Sequence, residues 1–357
     1  MRSACLFTSM WLISCVNVGS AAVEGNLSAR IDRIAEKVFH QEGPGGVVVV
    51  VDDGRVIHNG RYGLADVKHN TAFTDETIFD LASTSKAFTA MSVLILCQRG
   101  KLKLDDDART ILTELKKKHY PEPITIRHLL NMTAGLPAYE DLFDSLATVD
   151  NEQVAKKIGS IDALSAPGEK YAYSNTAYSL LALLVKRMAG EPFPDFVKRE
   201  IFQRLGMTHS LVMDRPGLKV PGRAAGYKRK KGRWVYTRND TSVMGDGQVL
   251  TCVADMLLWE KALRESTLCD RQLLKMAWTS GKLNSGKRTG YGFGWSIERD
   301  EGDKEVWHSG SWDGTATYIG LFLKAKVSLL ILSNCEDASP SDMATKLEPI
   351  ILKSLGR

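Results

Sequence analysis

Ala87 to Cys97 restricts the fold most: the stretch is apolar nearly all the way round, broken only by Thr89 and Ser92, and Gly100 closes it. A helix without a polar face belongs at the centre of a domain, so other elements must surround it. At its entrance stand Ser83 and Lys86. Helical side chains at i and i+3 share a face, which holds the Lys86 amine against the Ser83 hydroxyl. Serine attacks a carbonyl once a neighbouring base takes its proton, and lysine serves as that base when burial leaves it neutral. In a first helical turn the backbone N–H groups are unpaired, so the N–H of Ser83 is a candidate oxyanion donor. Ser-x-x-Lys is short and recurs by chance; its weight depends on its company.

The two ends of the chain carry strand patterns. Ile31, Ile34, Ala35 and Val38 predict an amphipathic helix over Ser28 to Gln41. Gly45 to Val51 then reads as a β-branched strand, Asp52-Asp53-Gly54 as a turn, and Arg55 to Gly63 as the returning strand. Near the C-terminus, Gly292 to Glu298, Thr315 to Leu323 and Val327 to Ser333 read as strands and Ser341 to Leu355 as a closing helix. Between them the pattern is mainly helical: Ile124 to Met132, Asn151 to Ile158, Thr176 to Ala189, Phe193 to Leu205 and Val253 to Arg264. These runs predict an α+β chain, an antiparallel sheet flanked by helices with a mainly helical inserted domain. Residues 23–80 and 281–357 form the sheet domain and 81–280 the insertion, with Ser83 at the cleft between them.

The first 22 residues are set apart from the fold. Arg2, the apolar run Ala4 to Val18 and the small residues Gly19-Ser20-Ala21-Ala22 read as a signal peptide, which implies a secreted or periplasmic protein. Leu12-Ile13-Ser14-Cys15 resembles a bacterial lipobox, and lipid anchoring through Cys15 ranks second. After Val18 no apolar run is long enough to span a bilayer. The formal charge is +5, and the basic clusters are short; Lys228 to Lys231, followed by Gly232, reads as a solvated hairpin tip rather than a nucleic-acid surface. Cys97, Cys252, Cys269 and Cys335 lack metal-type spacing, and there is no His-Glu-x-x-His, so neither metal nor cofactor is expected. His40, His58, His69, His119 and His209 read as surface or turn residues and His128 as a packing residue.

Two further motifs complete the site. Tyr171-Ala172-Tyr173-Ser174-Asn175 leads from a Pro-Gly turn into a helical run, and Trp307-His308-Ser309-Gly310-Ser311 stands just ahead of a strand. A tyrosine hydroxyl beside Lys86 can pass protons to a leaving group, and an asparagine can hold a substrate amide. Ser-x-x-Lys, Tyr-x-Asn and His-x-Gly in this order resemble the penicillin-recognising serine hydrolases. Within them the chain is similar to the branch of class C β-lactamases, D,D-peptidases and related esterases and amidases. Gly135-Leu136-Pro137, Gly206-Met207 and Tyr291-Gly292-Phe293-Gly294-Trp295 extend the likeness across the mature chain.

The resemblance implies a β-lactamase/transpeptidase-like fold with Ser83 as nucleophile, Lys86 as base and Tyr173 as proton relay. It implies Asn175, His308, Ser309, Gly310 and Ser311 as substrate contacts, with the backbone N–H groups of Ser83 and Ser311 as the oxyanion hole. The expected activity is cleavage of an amide or ester, in a D-amino-acid peptide (a cell-wall peptide, for example) or a small acyl ester. His308 stands where class A and class C enzymes carry a lysine, and neutral histidine holds a carboxylate less well. A class C-like β-lactamase is therefore an alternative reading, and a penicillin-binding or sensor protein without turnover is another. Oligomeric state is left open.

Overall fold

The computed structural model describes residues 18–238, 241–298 and 305–357. Residues 1–17 of the expected leader, Cys15 among them, lie outside the described residues, while 18–22 fall in the first helix. Helix α1 (Val18–Ala35) opens the chain, and residues 36–39 turn rather than continue it. Strands β1 (Gly46–Asp52) and β2 (Arg55–Tyr62) follow as a hairpin. Its two-residue turn places Asp53 at φ +44° and Gly54 at +83°, the left-handed pair that matches the twist of a two-residue hairpin. Pairing slips between Val50 and Val51, so β2 accommodates one extra residue, a bulge.

Short strands β3 (Leu64–Asp66), β4 (Thr71–Ala72) and β5 (Phe79–Asp80) lead to a 3-10 turn at Ala82–Ser85 and to helix α2 (Lys86–Gln98). The helical middle contains α3 (Ile126–Leu130), α4 (Asn151–Ile158), α5 (Asn175–Ala189), α6 (Phe193–Val197), a π-helical turn at Lys198–Phe202 and α7 (Gln203–Leu205). It also holds strands β6 (Leu211–Val212), β7 (Tyr227–Lys230), β8 (Arg233–Tyr236) and β9 (Val249–Thr251), then α8 (Val253–Glu265) and α9 (Arg271–Ala277). The basic cluster caps the β7–β8 hairpin, as its Lys231-Gly232 turn suggested. β10 (Ser296–Glu298), β11 (Glu305–Trp312), β12 (Thr315–Phe322), β13 (Val327–Ser333) and α10 (Pro340–Ser354) close the chain.

The strand expected over Gly292 to Glu298 is confined to its last three residues. Tyr291 to Trp295 is irregular, with Gly294 at φ +76° seated against the Lys86 backbone. Sequence reading also passed over β3 to β6 and β9, which are two or three residues long and carry no usable period.

One antiparallel sheet, ordered β10-β11-β12-β13-β1-β2, joins the two ends of the chain through β1 and β13, from Gly46 opposite Ser333 to Asp52 opposite Val327. The valine run explains the layers. Val47, Val49 and Val51 face the core that contains α2, while Val48 and Val50 face Leu27, Ile31, Leu347 and Ile351 of α1 and α10. A strand covered on both faces needs no polar alternation. Helix α2 is buried from Lys86 to Leu96, as its composition required. Its Phe88 stacks on Trp259 of α8 with ring centroids 4.1 Å apart. Truncating Leu94 to alanine in such packing costs about 2–5 kcal/mol.

Candidate active site

The chain reaches the site through β5, which pairs with β9, and the N–H of Leu81 donates to the Val249 carbonyl. Ser83 lies in the 3-10 turn just ahead of α2, not in the first α-helical turn as expected. The tighter winding eclipses i and i+3, so Lys86 Nζ stands 3.0 Å from Ser83 Oγ. Lys86 is fully buried. Nζ also donates to Asn175 Oδ1 at 2.7 Å and to the Asp246 carbonyl at 2.6 Å, so three acceptors meet the three N–H bonds of an ammonium.

Asn175 opens α5 behind the N-cap Ser174, whose Oγ accepts from the N–H of Ala177. The Asn175 amide is engaged at both ends, since its Nδ2 donates to Glu140 Oε1. That geometry makes it a clamp on Lys86. Asp246 is 2% exposed and receives the Tyr139 hydroxyl on Oδ2 at 2.8 Å. Burial raises its carboxyl to about 6, against the opposing pull of the Lys86 charge and the Tyr139 hydrogen bond.

Tyr173 is 48% exposed and lays its ring 5.0 Å from Lys86 Nζ, between the Tyr291 and His308 rings. Its hydroxyl has no hydrogen-bond partner among the described residues, so it stands open to an incoming group.

The third motif does not precede a strand; it lies within β11. β10 pairs with β11 only from Glu305 to Trp307, which leaves the outer edge of His308 to Trp312 without a strand partner among the described residues. Gly310 lies against Ser83: a Cβ there would stand 2.4 Å from the Leu81 carbonyl oxygen and 2.8 Å from Ser83 N. Only glycine lets this edge approach Ser83 so closely. Ser309 and Ser311 flank that contact. Trp312 packs its ring over Gly247, beside the carbonyl that holds Lys86, whereas Trp307 stacks on Tyr318 with centroids 5.9 Å apart.

His308 is 3% exposed, its Nδ1 2.6 Å from the Ser309 carbonyl oxygen and its Nε2 3.0 Å from the Tyr291 hydroxyl. Burial, with the nearby Lys86 charge, lowers its pKa to about 3.

The arrangement therefore unites Ser83, Lys86, Tyr173, Asn175, His308, Ser309, Gly310 and Ser311 in one place. It adds residues that motif reading did not assign: Asp246, Tyr139, Glu140 and Tyr291. Tyr291 was visible as part of Tyr-Gly-Phe-Gly-Trp; for Asp246 the only cue was its place between Gly245 and Gly247.

Elsewhere, His58 is buried rather than superficial, accepting or donating to Ser28 Oγ at 2.7 Å and the Tyr62 hydroxyl at 3.1 Å. Among the described residues Cys97, Cys252, Cys269 and Cys335 form no disulfide, and burial lifts the Cys97, Cys252 and Cys269 thiols to about 11. His209, Cys252 and Asp255 bring one ligand-type atom each within 4.8 Å, but Asp255 Oδ2 is already taken by the N–H of His209 and by Ser210 Oγ. No helix among the described residues is long and apolar enough to cross a membrane.

A family model described as Beta-lactamase matches residues 31–348. The chain is 29% identical over 331 residues to penicillin-binding protein 4* of Bacillus subtilis (strain 168), covering 87% of this chain and 71% of that relative. It is 27% identical over 318 residues to protein flp of Staphylococcus aureus (strain N315), covering 85% of this chain but only 62% of the other. Its fold is similar to the octameric penicillin-binding protein homologue from Pyrococcus abyssi, with TM-score 0.78, 27% identity, and coverage of 92% and 77%. It is similar also to EstCE1, a hydrolase with promiscuous acyltransferase activity, with TM-score 0.79 over 94% and 99%; at 20% identity that likeness concerns the fold alone.

Proposed function

This chain belongs to the beta-lactamase family and has its serine hydrolase fold, and from that premise we propose that it cleaves an amide or ester through an acyl-enzyme on Ser83. The observation that carries the reading is the buried Lys86 amine 3.0 Å from Ser83 Oγ, held from behind by Asn175 and the Asp246 carbonyl. Acting as base, the neutral amine donates to those two acceptors and turns its lone pair to the serine. Lys86 then takes the Ser83 proton as Oγ bonds to the substrate carbonyl carbon. Charge on the carbonyl oxygen is met by the backbone N–H groups of Ser83 and Ser311. The exposed Tyr173 hydroxyl protonates the departing nitrogen or oxygen and takes in its place the proton that Lys86 received from Ser83, and water releases the acyl group in the reverse sense.

The third motif supports a reading of the substrate class. The open edge of β11 offers backbone hydrogen bonds beside a neutral, buried His308 rather than an ammonium, which suits a D-amino-acid peptide, its amide, or a small acyl ester laid along the strand. Relatives named as penicillin-binding proteins favour testing β-lactams as acylating agents. The N-terminal sequence supports export, as a secreted or periplasmic protein, with lipid anchoring through Cys15 the lesser reading.

Intact-protein mass spectrometry after brief incubation with a penicillin and with a fluorophosphonate, beside Ser83→Ala, tests the reading. A mass gain that disappears in the variant is the expected result. The absence of any adduct, together with unchanged p-nitrophenyl ester and D-amino-acid amide substrates, would overturn it.

A further inference from the structure

The segment that carries Ser83 is pinned by residues outside the three motifs. Ala82, immediately before the nucleophile, sits at φ +45°, a left-handed conformation that a residue with a Cβ adopts only when its surroundings impose it. Its N–H donates to Asp80 Oδ1 at 2.9 Å. Asp80 Oδ2 in turn lies 3.0 Å from Arg223 Nη2. Both partners are withdrawn from solvent, the aspartate side chain 6% and the arginine 13% exposed. Arg223 is itself fixed, because the Ile78 N–H donates to the Gly222 carbonyl and the Ala224 N–H to the Ile78 carbonyl. From β12, Thr315 Oγ1 donates to the Asp80 carbonyl and Thr317 Oγ1 to the Leu81 carbonyl, each at 2.9 Å. The two successive peptide units 80–81 and 81–82, ahead of Ser83, are thus held by three side-chain hydrogen bonds.

We propose that Asp80 and Arg223 are positioning residues that lock Ala82 in its strained conformation and so aim the Ser83 hydroxyl and N–H at the reacting carbonyl. The proposal rests on the acyl-enzyme reading of Ser83. Its physical basis is the demand of a buried carboxylate for a counter-charge. Burial pushes the Asp80 carboxyl up and the adjacent Arg223 charge pulls it back, so Arg223 favours the carboxylate, a strong acceptor for one backbone N–H. Without Arg223, the carboxylate protonates or turns toward the adjoining cavity of about 280 Å³, which Asp80 and Arg223 both line, and Ala82 is released. A relaxed Ala82 rotates the next peptide unit, which carries the Ser83 N–H.

The test compares Arg223→Met, Asp80→Asn and the double variant, each checked for folding by circular dichroism at the assay temperature. The readouts are kcat and KM on p-nitrophenyl acetate, the fluorophosphonate acylation rate, and the Ala82 φ from crystal structures. Arg223→Met is expected to lower kcat and acylation by about 10- to 100-fold with KM within about threefold, because binding persists while alignment is lost. Adding Asp80→Asn is expected to recover most of that loss, since a neutral amide accepts from Ala82 without needing the arginine. A folded Arg223→Met with wild-type kcat overturns the proposal, as does a double variant no faster than the single one. If the wild type itself is never acylated, the Ser83 reading fails; positioning is then decided by φ alone. Ala82 relaxed to negative φ in Arg223→Met upholds it, and Ala82 retained at positive φ removes it.

Discussion

The Tyr291 hydroxyl lies 3.0 Å from Nε2 of His308, and Nδ1 of the same ring lies 2.6 Å from the Ser309 carbonyl oxygen, which can only accept. Nδ1 therefore carries the proton and Nε2 accepts from Tyr291, so His308 is neutral and its tautomer is set by two neighbours. The residue standing where related enzymes carry an ammonium is thereby kept uncharged by the fold.

Nitrogen-15 spectra of His308 are expected to show the Nδ1–H tautomer unchanged from pH 8 to pH 5. Its folded pKa of about 3 lies below the unfolded value, so its stability contribution is full above about pH 6.5 and is lost as pH falls toward 3. At pH 5 the loss expected from this group is on the order of 2 kcal/mol, and His308→Asn removes that part of the acid sensitivity. A resonance that titrates near pH 6.5 would contradict the assignment.

Lys86→Ala is expected to slow phosphonylation by a fluorophosphonate by roughly 10³-fold, the range typical of a lost general base. Asn175→Ala is expected to cost less, about 10- to 100-fold, because Lys86 keeps the Asp246 carbonyl as an acceptor while losing one clamp. Equal rates for the wild type and Lys86→Ala would remove lysine from the mechanism.

Asp246→Asn is expected to stabilise the protein at pH 8. The folded pKa of about 6 is raised above the unfolded value, so this group favours the fold most below about pH 4 and loses that contribution as pH rises through 6. About two pKa units correspond to a destabilisation on the order of 3 kcal/mol from the ionised carboxylate, present at pH 8 and absent near pH 4, which the asparagine removes. Asparagine retains an acceptor for the Tyr139 hydroxyl. Chemical denaturation at the two pH values measures the difference, and a variant destabilised equally at both would refute the linkage.

Gly310→Ala is expected to abolish detectable acylation and to lower stability by about 1–3 kcal/mol, the usual cost of overpacking. The added methyl meets the Leu81 carbonyl and Ser83 N, both backbone atoms that cannot swing aside. Thermal unfolding and labelling of the same preparation would separate the two effects.

Periodicity and turn chemistry located the long elements to within a few residues where a single rule dominated. The valine run became β1, Val327 to Ser333 became β13 without change, and Asn151 to Ile158 became α4 with its Asp150 cap. Failures came where tertiary contact outweighed local pattern. Tyr291 to Trp295 has strand composition, yet Gly294 bends it onto the Lys86 backbone, and its Tyr291 serves His308 instead of a ladder.

The sequence by itself determined the candidates for the chemistry: a serine, a lysine one turn away, and the tyrosine and strand edge that accompany them. Those facts are local, because a spacing of three residues brings Ser83 and Lys86 together in any tight helical turn. Only the tertiary structure decided what surrounds them. The Asp246 carbonyl comes from 160 residues downstream, Asn175 from 89 downstream, and Tyr291 reaches His308 across the fold. Protonation states, the strain at Ala82 and the close approach of Gly310 depend on burial and on backbone groups meeting from distant segments, and no spacing along the chain encodes them.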